Sequence, residues 1–354
     1  MWVLDEFENQ LVKDLRDDAI HGSLSAAVIR QNKVIRAKAF GYATIQGEEP
    51  AATHTLYRAG SVAKSFTAFL MMQLIQAGAF ELDEPVENHF PEVRELQGYS
   101  DTTKITFRQL ASHTSGLMRE PKLDGADAGP IEAWEDKVLQ SIPCTSFESR
   151  PGERFSYSNI GYGILGVALS RAGRQPFIKM IEERIFQPLG MQDSFFIVPD
   201  QRMKDLAQGI EGGPFGDAEP DLARPHKEHR GRGYKVPNGG IYSTPTDLAK
   251  FLMCNMGYPT LLERGHLDVM HANQTPETSY HCYGLGYELY KDPLMTIVGH
   301  SGGVSGYSAY IGFEKECGYG VVLMRNYNWG TTSWDFAPKI LLRKLVELER
   351  NGSS

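Results

Sequence analysis

Cysteine is scarce and scattered in this chain. Four residues, Cys144, Cys254, Cys282 and Cys317, are spread over 354 positions. No two have the close spacing of a metal site or the density of a disulfide framework, so they read as reduced, buried small hydrophobes. Long apolar runs are missing too, and none approaches the roughly 18 residues of a membrane span. Basic runs are also absent, and a net charge of −8 argues against nucleic acid as the main partner. Residues Met1 to Asp18 are too acidic for a signal peptide and carry an amphipathic helical pattern, so the expectation is a cytoplasmic protein. Finally, no histidine follows His300, an absence that decides a question below.

What is present is the composition of an ordinary globular protein, 41% hydrophobic and 23% charged. After the first helix, Leu24 to Arg30 and Val34 to Tyr42 read as two strands joined in a hairpin through Gln31, Asn32 and Lys33. A long apolar helix opens at Ser61 and runs to Ala77. From Leu82 to about Arg232 the texture is helical, with Thr106 to Ser112, Pro130 to Ser141, Gly161 to Arg171 and Phe177 to Phe186 as helices between Pro- and Gly-rich loops. Gly209 to Lys235 reads as a long surface loop, and Ser243 or Thr244 as the cap of a helix ending near Met256. Strand character returns at Tyr283 to Tyr290, Met295 to Val298, Ser305 to Phe313 and Gly318 to Met324, before a last amphipathic helix from Ser333 to Leu348.

This order predicts an α/β fold of the α+β type. Strands from both ends form one antiparallel sheet flanked by the N- and C-terminal helices, and a mainly helical domain is inserted. The expected sheet domain is 1–75 with 236–354, and the inserted domain is 76–235.

Two serines compete for a catalytic role. Gly299-His300-Ser301-Gly302-Gly303 matches the G-x-S-x-G nucleophile elbow, which would make Ser301 the nucleophile. An elbow needs a following helix and a histidine later in the chain. Val304 to Phe313 alternates like a strand, and His300 is the last histidine. The other candidate is Ser61, with Lys64 three residues on and one helical turn away. A serine hydroxyl needs a base beside it, and an amine serves once burial or a neighbouring cation lowers its pKa. Chance alone supplies such a pair about once per chain of this composition.

The partners of Ser61 make the case. Ser61-Val62-Ala63-Lys64, Tyr157-Ser158-Asn159 and His300-Ser301-Gly302 follow in order, with Leu110 to Leu117, Pro151-Gly152 and Asn238-Gly239-Gly240 between them. The set resembles the penicillin-recognising serine hydrolases: class C β-lactamases, D-Ala-D-Ala peptidases, D-aminopeptidases and β-lactamase-like carboxylesterases. The resemblance implies a serine β-lactamase-like fold with no metal and no cofactor. Ser61 would be the nucleophile, Lys64 and Tyr157 its acid/base partners, and His300 a neighbour that tunes Tyr157 or meets the leaving group. The oxyanion hole would be the backbone N–H groups of Ser61 and Gly303. Asn159, Ser301 and Gly302 would contact substrate.

His300 stands where many relatives carry the lysine of a K-T-G motif. A largely neutral histidine there removes a fixed cation for a substrate carboxylate. The expected function is therefore hydrolysis of small carboxylic esters. D-amino-acid peptide or amide cleavage, D-Ala-D-Ala carboxypeptidase-like action, weak β-lactamase activity and acyl transfer stand as alternatives, and a silent binding module of the same fold is the non-enzyme alternative. The partner is a small ester or peptide. His113-Thr114-Ser115-Gly116 reads as a helix end and turn, and His226, His229, Arg230 and Arg232 read as a solvated loop.

Overall fold

Alternation within the strands explains the architecture. The computed structural model describes residues 2–212 and 219–352. Its six-stranded sheet is built from β1 (Ser23–Arg30), β2 (Lys33–Gly41), β3 (Glu288–Lys291), β4 (Thr296–Val304), β5 (Tyr307–Glu314) and β6 (Tyr319–Arg325), in the order β2-β1-β6-β5-β4-β3. Every neighbouring pair is antiparallel, and the two ends of the chain meet where β1 pairs with β6. Each central strand is apolar on both faces, so the sheet needs a cover on each side.

One face takes Ala26, Val28, Tyr310, Val321 and Leu323, packed under α1 (Trp2–Asp17) and α5 (Phe336–Gly352). Val3, Leu4, Phe7 and Leu11 on α1, and Leu341, Leu342, Leu345 and Val346 on α5, supply the facing stripes at helical spacing. The opposite face takes Ala27, Ile29, Ile311, Phe313, Val322 and Met324. Its cover is α2 (Ala63–Gln76) and α4 (Pro245–Asn255), joined by the Phe66 and Phe251 rings stacked at 3.7 Å. α2 is buried almost all round. Each fully buried Phe on it is worth roughly 1.5–3 kcal/mol. That burial fixes the helix against the sheet, and the candidate nucleophile sits at its start.

Several sequence expectations shift. The Tyr283–Tyr290 strand shrinks to Glu288–Lys291, because Gly286 lies at φ +77° and ends any extended run before it. The expected strand Met295 to Val298 extends to Val304 in β4, so His300-Ser301-Gly302 lies in its second half. The strand runs through Gly299, Gly302 and Gly303, and the chain turns only at Ser305-Gly306. Gly209 to Lys235, of which 213–218 lie outside the described residues, is not a solvated loop. It holds a short helix at Ala223–Lys227 and buries Ile210, Pro225 and Tyr234. Only Cys254 of the four free cysteines is fully buried, the others being partly exposed. A two-residue ladder, Tyr57–Arg58 with Tyr242–Ser243, carried no signal. Among the described residues, no helix is long and apolar enough to cross a membrane.

Candidate active site

A positive φ at Gly60 bends the chain from the Tyr57–Arg58 ladder into a 3-10 turn, Gly60–Val62, that leads into α2. This presents Ser61 at the helix N-terminus, where the dipole favours developing negative charge. Lys64, one turn on, is fully buried. Its Nζ lies 3.2 Å from Ser61 Oγ, donates to Asn159 Oδ1 at 2.9 Å and reaches the Asn238 carbonyl at 3.4 Å. Burial pulls its pKa well below that of an ordinary lysine, and Arg119 and Arg232 pull it further. The amine is thereby able to accept a proton.

Tyr157 precedes α3 (Asn159–Ala172), whose N-cap is Ser158. Lys64 Nζ lies 4.7 Å from the centre of its ring, and Arg119 5.0 Å. Burial raises the phenol's pKa despite the Ser61 hydroxyl and Arg119, which favour the phenolate. The resting group is a phenol. For an acid/base partner, these electrostatics favour a proton relay with Lys64 over a phenolate base.

Asn159 is almost buried, and its side chain accepts from Lys64 and donates to Glu120 Oε1 at 2.7 Å. Glu120 also meets Lys235 at 3.3 Å.

His300 points inward from β4. Its Nδ1 lies 2.6 Å from the Ser301 carbonyl, so it carries the hydrogen, and Nε2 accepts from the Tyr283 hydroxyl at 2.8 Å. Burial first, then Lys64, lowers its pKa to about 3. The ring is neutral, and its centre stands 6.4 Å from that of Tyr157 without a hydrogen bond between them. Ser301 turns to the other face of the strand and donates to Glu288 Oε2 at 3.3 Å. Gly302 is buried, whereas Gly303 is exposed with open space where a side chain would stand.

The glycines set this contact. A Cβ on Gly302 would overlap the Ala59 carbonyl oxygen, and a Cβ on Gly60 would crowd the Gly303 nitrogen at 3.1 Å. Gly302→Ala is expected to push β4 away from the Ser61 turn, costing about 1–3 kcal/mol of stability and about 100-fold in kcat. Urea unfolding with ester kinetics checks it, and a variant active within threefold contradicts it.

All the sequence candidates except Ser301 converge on one face of the sheet, and Ser301 stands at its edge. Sequence reasoning missed Asn238, Glu120, Arg119 and Arg232. Arg232 was read as solvated. Instead it is packed against Glu228 at 3.0 Å, its Nη1 donates to the Gly239 carbonyl at 3.2 Å, and burial lowers its pKa to about 10. His229, from the same stretch, sits 2.7 Å from the Tyr242 hydroxyl. No spacing rule finds such residues, because each joins the site through tertiary packing alone. A cavity of about 680 Å³ opens beside Tyr157, walled by Arg119, Phe155, Tyr283, Glu288 and Tyr310.

The family model described as Beta-lactamase matches residues 9–341. This chain belongs to the Beta-lactamase family. "Protein flp" of Staphylococcus aureus (strain N315) is 24% identical over 345 residues, which are 95% of this chain and 66% of that protein. "Beta-lactamase-like protein 2" of Dictyostelium discoideum is 28% identical over 326 residues, 90% of this chain and 58% of its own length. The chain thus spans about two thirds or less of these relatives. The octameric penicillin-binding protein homologue from Pyrococcus abyssi superposes with a TM-score of 0.79 at 24% identity, over 98% of this chain and 77% of that one. This Beta-lactamase family member therefore has the serine β-lactamase-like fold, with the sheet, α2 and α3 meeting around Ser61.

Proposed function

We propose that this protein is a serine hydrolase that forms an acyl-enzyme on Ser61 and acts on small carboxylic esters. The observation that carries the reading is the buried Lys64 amine, 3.2 Å from Ser61 Oγ and held below the usual lysine pKa. Ser61 Oγ bonds to the acyl carbon as its proton passes to Lys64 Nζ. The Ser61 and Gly303 backbone N–H groups receive the oxyanion. The carbon–oxygen bond to the alcohol then breaks, and the proton reaches the leaving oxygen through the Tyr157 hydroxyl. Water repeats the steps in reverse order and frees the acid. In this reading 1–75 with 236–354 form the sheet unit, and 76–235 the helical unit that closes over it.

The preference for uncharged esters rests on two groups at the strand edge. His300 is neutral, and the Ser301 hydroxyl is engaged by the Glu288 carboxylate. Lys339, which also lines the cavity, is held by Asp335 at 2.6 Å. Burial raises the Glu288 pKa to about 7, so above that pH a leaving group that carries a carboxylate meets a like charge at close range, which disfavours it.

The test is p-nitrophenyl butyrate, D-Ala-p-nitroanilide and nitrocefin side by side, with intact mass and peptide mapping of the trapped adduct. Ester turnover with the acyl group on the Ser61 peptide is expected, at least about tenfold above nitrocefin in kcat/KM. Glu288→Gln is expected to narrow that ratio. Neither turnover nor adduct defeats the enzyme reading. Faster nitrocefin cleavage would move the substrate to β-lactams, with Arg119 as the cation that holds their carboxylate. Faster anilide cleavage would move it to D-amino-acid amides.

A further inference from the structure

His113 is expensive where it stands. It is a non-glycine residue at φ +59°, it is fully buried, and its Nε2 has no hydrogen-bond partner among the described residues. A left-handed backbone and an unpaired buried N–H are each destabilising. Its other contacts converge on one neighbour. The His113 carbonyl accepts from Ser156 N–H at 2.8 Å, and Nδ1 accepts from Ser158 N–H at 3.1 Å. These bonds grip the residues immediately before and after Tyr157. Between them the imidazole lies on the Tyr157 ring, with centroids 4.1 Å apart and planes 32° apart. The Tyr162 and Tyr283 rings close in at 5.1 and 4.9 Å.

We infer that His113 is a positioning residue that aims the Tyr157 hydroxyl at Ser61 and the leaving group, by holding the backbone on both sides of Tyr157 and stacking on its ring. This rests on the acyl-enzyme reading above. The device needs a neutral imidazole with the proton on Nε2, because a protonated Nδ1 would face the Ser158 N–H donor to donor. Burial, Lys64, His300 and Arg119 all disfavour the charged ring. A glycine at 113 would suit the backbone turn better, but would supply neither the acceptor nor the ring.

The experiment uses two leaving groups. p-Nitrophenolate departs without a proton, whereas ethoxide needs one from Tyr157. His113→Phe keeps a ring and removes the acceptor. It is expected to lower kcat/KM for ethyl butyrate about 30-fold and for p-nitrophenyl butyrate no more than about threefold. His113→Asn restores an acceptor and is expected to recover most of the ethyl ester rate. In a Tyr157→Phe background, His113→Phe is expected to cost nothing further. Equal losses on the two esters, or full additivity with Tyr157→Phe, would overturn the inference, with circular dichroism confirming that each variant is folded. An absence of Ser61-dependent turnover in the wild type would instead defeat the acyl-enzyme reading itself.

Discussion

Lys64→Met is expected to lower kcat/KM for p-nitrophenyl butyrate about 1,000-fold while leaving the protein nearly as stable as before. The activity loss follows from geometry. Among the described residues, the one amine within hydrogen-bond reach of Ser61 Oγ is Lys64 Nζ, and general-base assistance is worth about 100- to 10,000-fold. Tyr157 cannot replace it at rest, since its phenol is held protonated by burial, and His300 is committed to Tyr283. The stability side has two opposing parts. Removing the amine ends the penalty of burying an ionisable group in a helix that is buried almost all round. It also strips a donor from Asn159 Oδ1 and from the Asn238 carbonyl, a loss of about 1–3 kcal/mol. The two are of similar size, so the net change is expected within about 1 kcal/mol. Steady-state kinetics with urea unfolding checks both halves. A variant within tenfold of wild type would remove Lys64 from the mechanism. One that unfolds would make Lys64 structural.

Legibility from sequence followed how far apart the determinants lie. The Ser61/Lys64 pair was readable because the two residues are three apart in sequence, Ser61 in the 3-10 turn that leads into α2 and Lys64 in the first turn of α2. The hairpin of β1 and β2 was readable because strand alternation and a short turn are adjacent in the chain. His300-Ser301-Gly302 fell between two expected strands because glycine in a strand interior ordinarily weakens it. Here Gly302 is required by the approach of Ala59 and Ser61, contacts more than 200 residues away in sequence. The role of Glu288 was invisible for the same reason, since nothing near it announces that Ser301 will pair with it. His113 was read as a helix-end turn, and the positive φ agrees. Its grip on Ser156 and Ser158 depends on a fold that brings two loops together. Fold class follows from local pattern summed over the chain, whereas site electrostatics depend on which charges tertiary packing leaves beside Lys64.

Acid should unfold this protein well above the carboxylate range. His113, His271 and His300 are each almost fully buried, and burial is the largest cause of depression of their pKa values from 6.5, to about 3 for His300. In the unfolded chain all three take up a proton near pH 6.5. Between that value and the native one, the unfolded state holds more protons, so stability rises with pH and is lost as pH falls. Each histidine that stays neutral when folded contributes a slope of about 1.4 kcal/mol per pH unit. For three together, the loss from pH 6.5 to about pH 5 is roughly 5 kcal/mol. Glu288, whose pKa of about 7 lets the native state hold an extra proton in the same window, offsets part of it. The remainder is still a large part of the about 5–15 kcal/mol stability of many domains. Urea midpoints at pH 7.5, 6 and 5 are expected to fall steeply through this window. His271→Gln is the informative control, because it lies outside the Ser61 site, where the ring packs on Tyr287 and Phe313 and Nε2 meets Asn255 Oδ1 at 3.2 Å. It is expected to remove about a third of the histidine contribution to the slope while leaving ester kinetics at pH 7.5 intact. A flat stability profile down to pH 5 would mean that these rings ionise without opening the fold. The neutral His113 and His300 on which the site geometry depends would then be untenable.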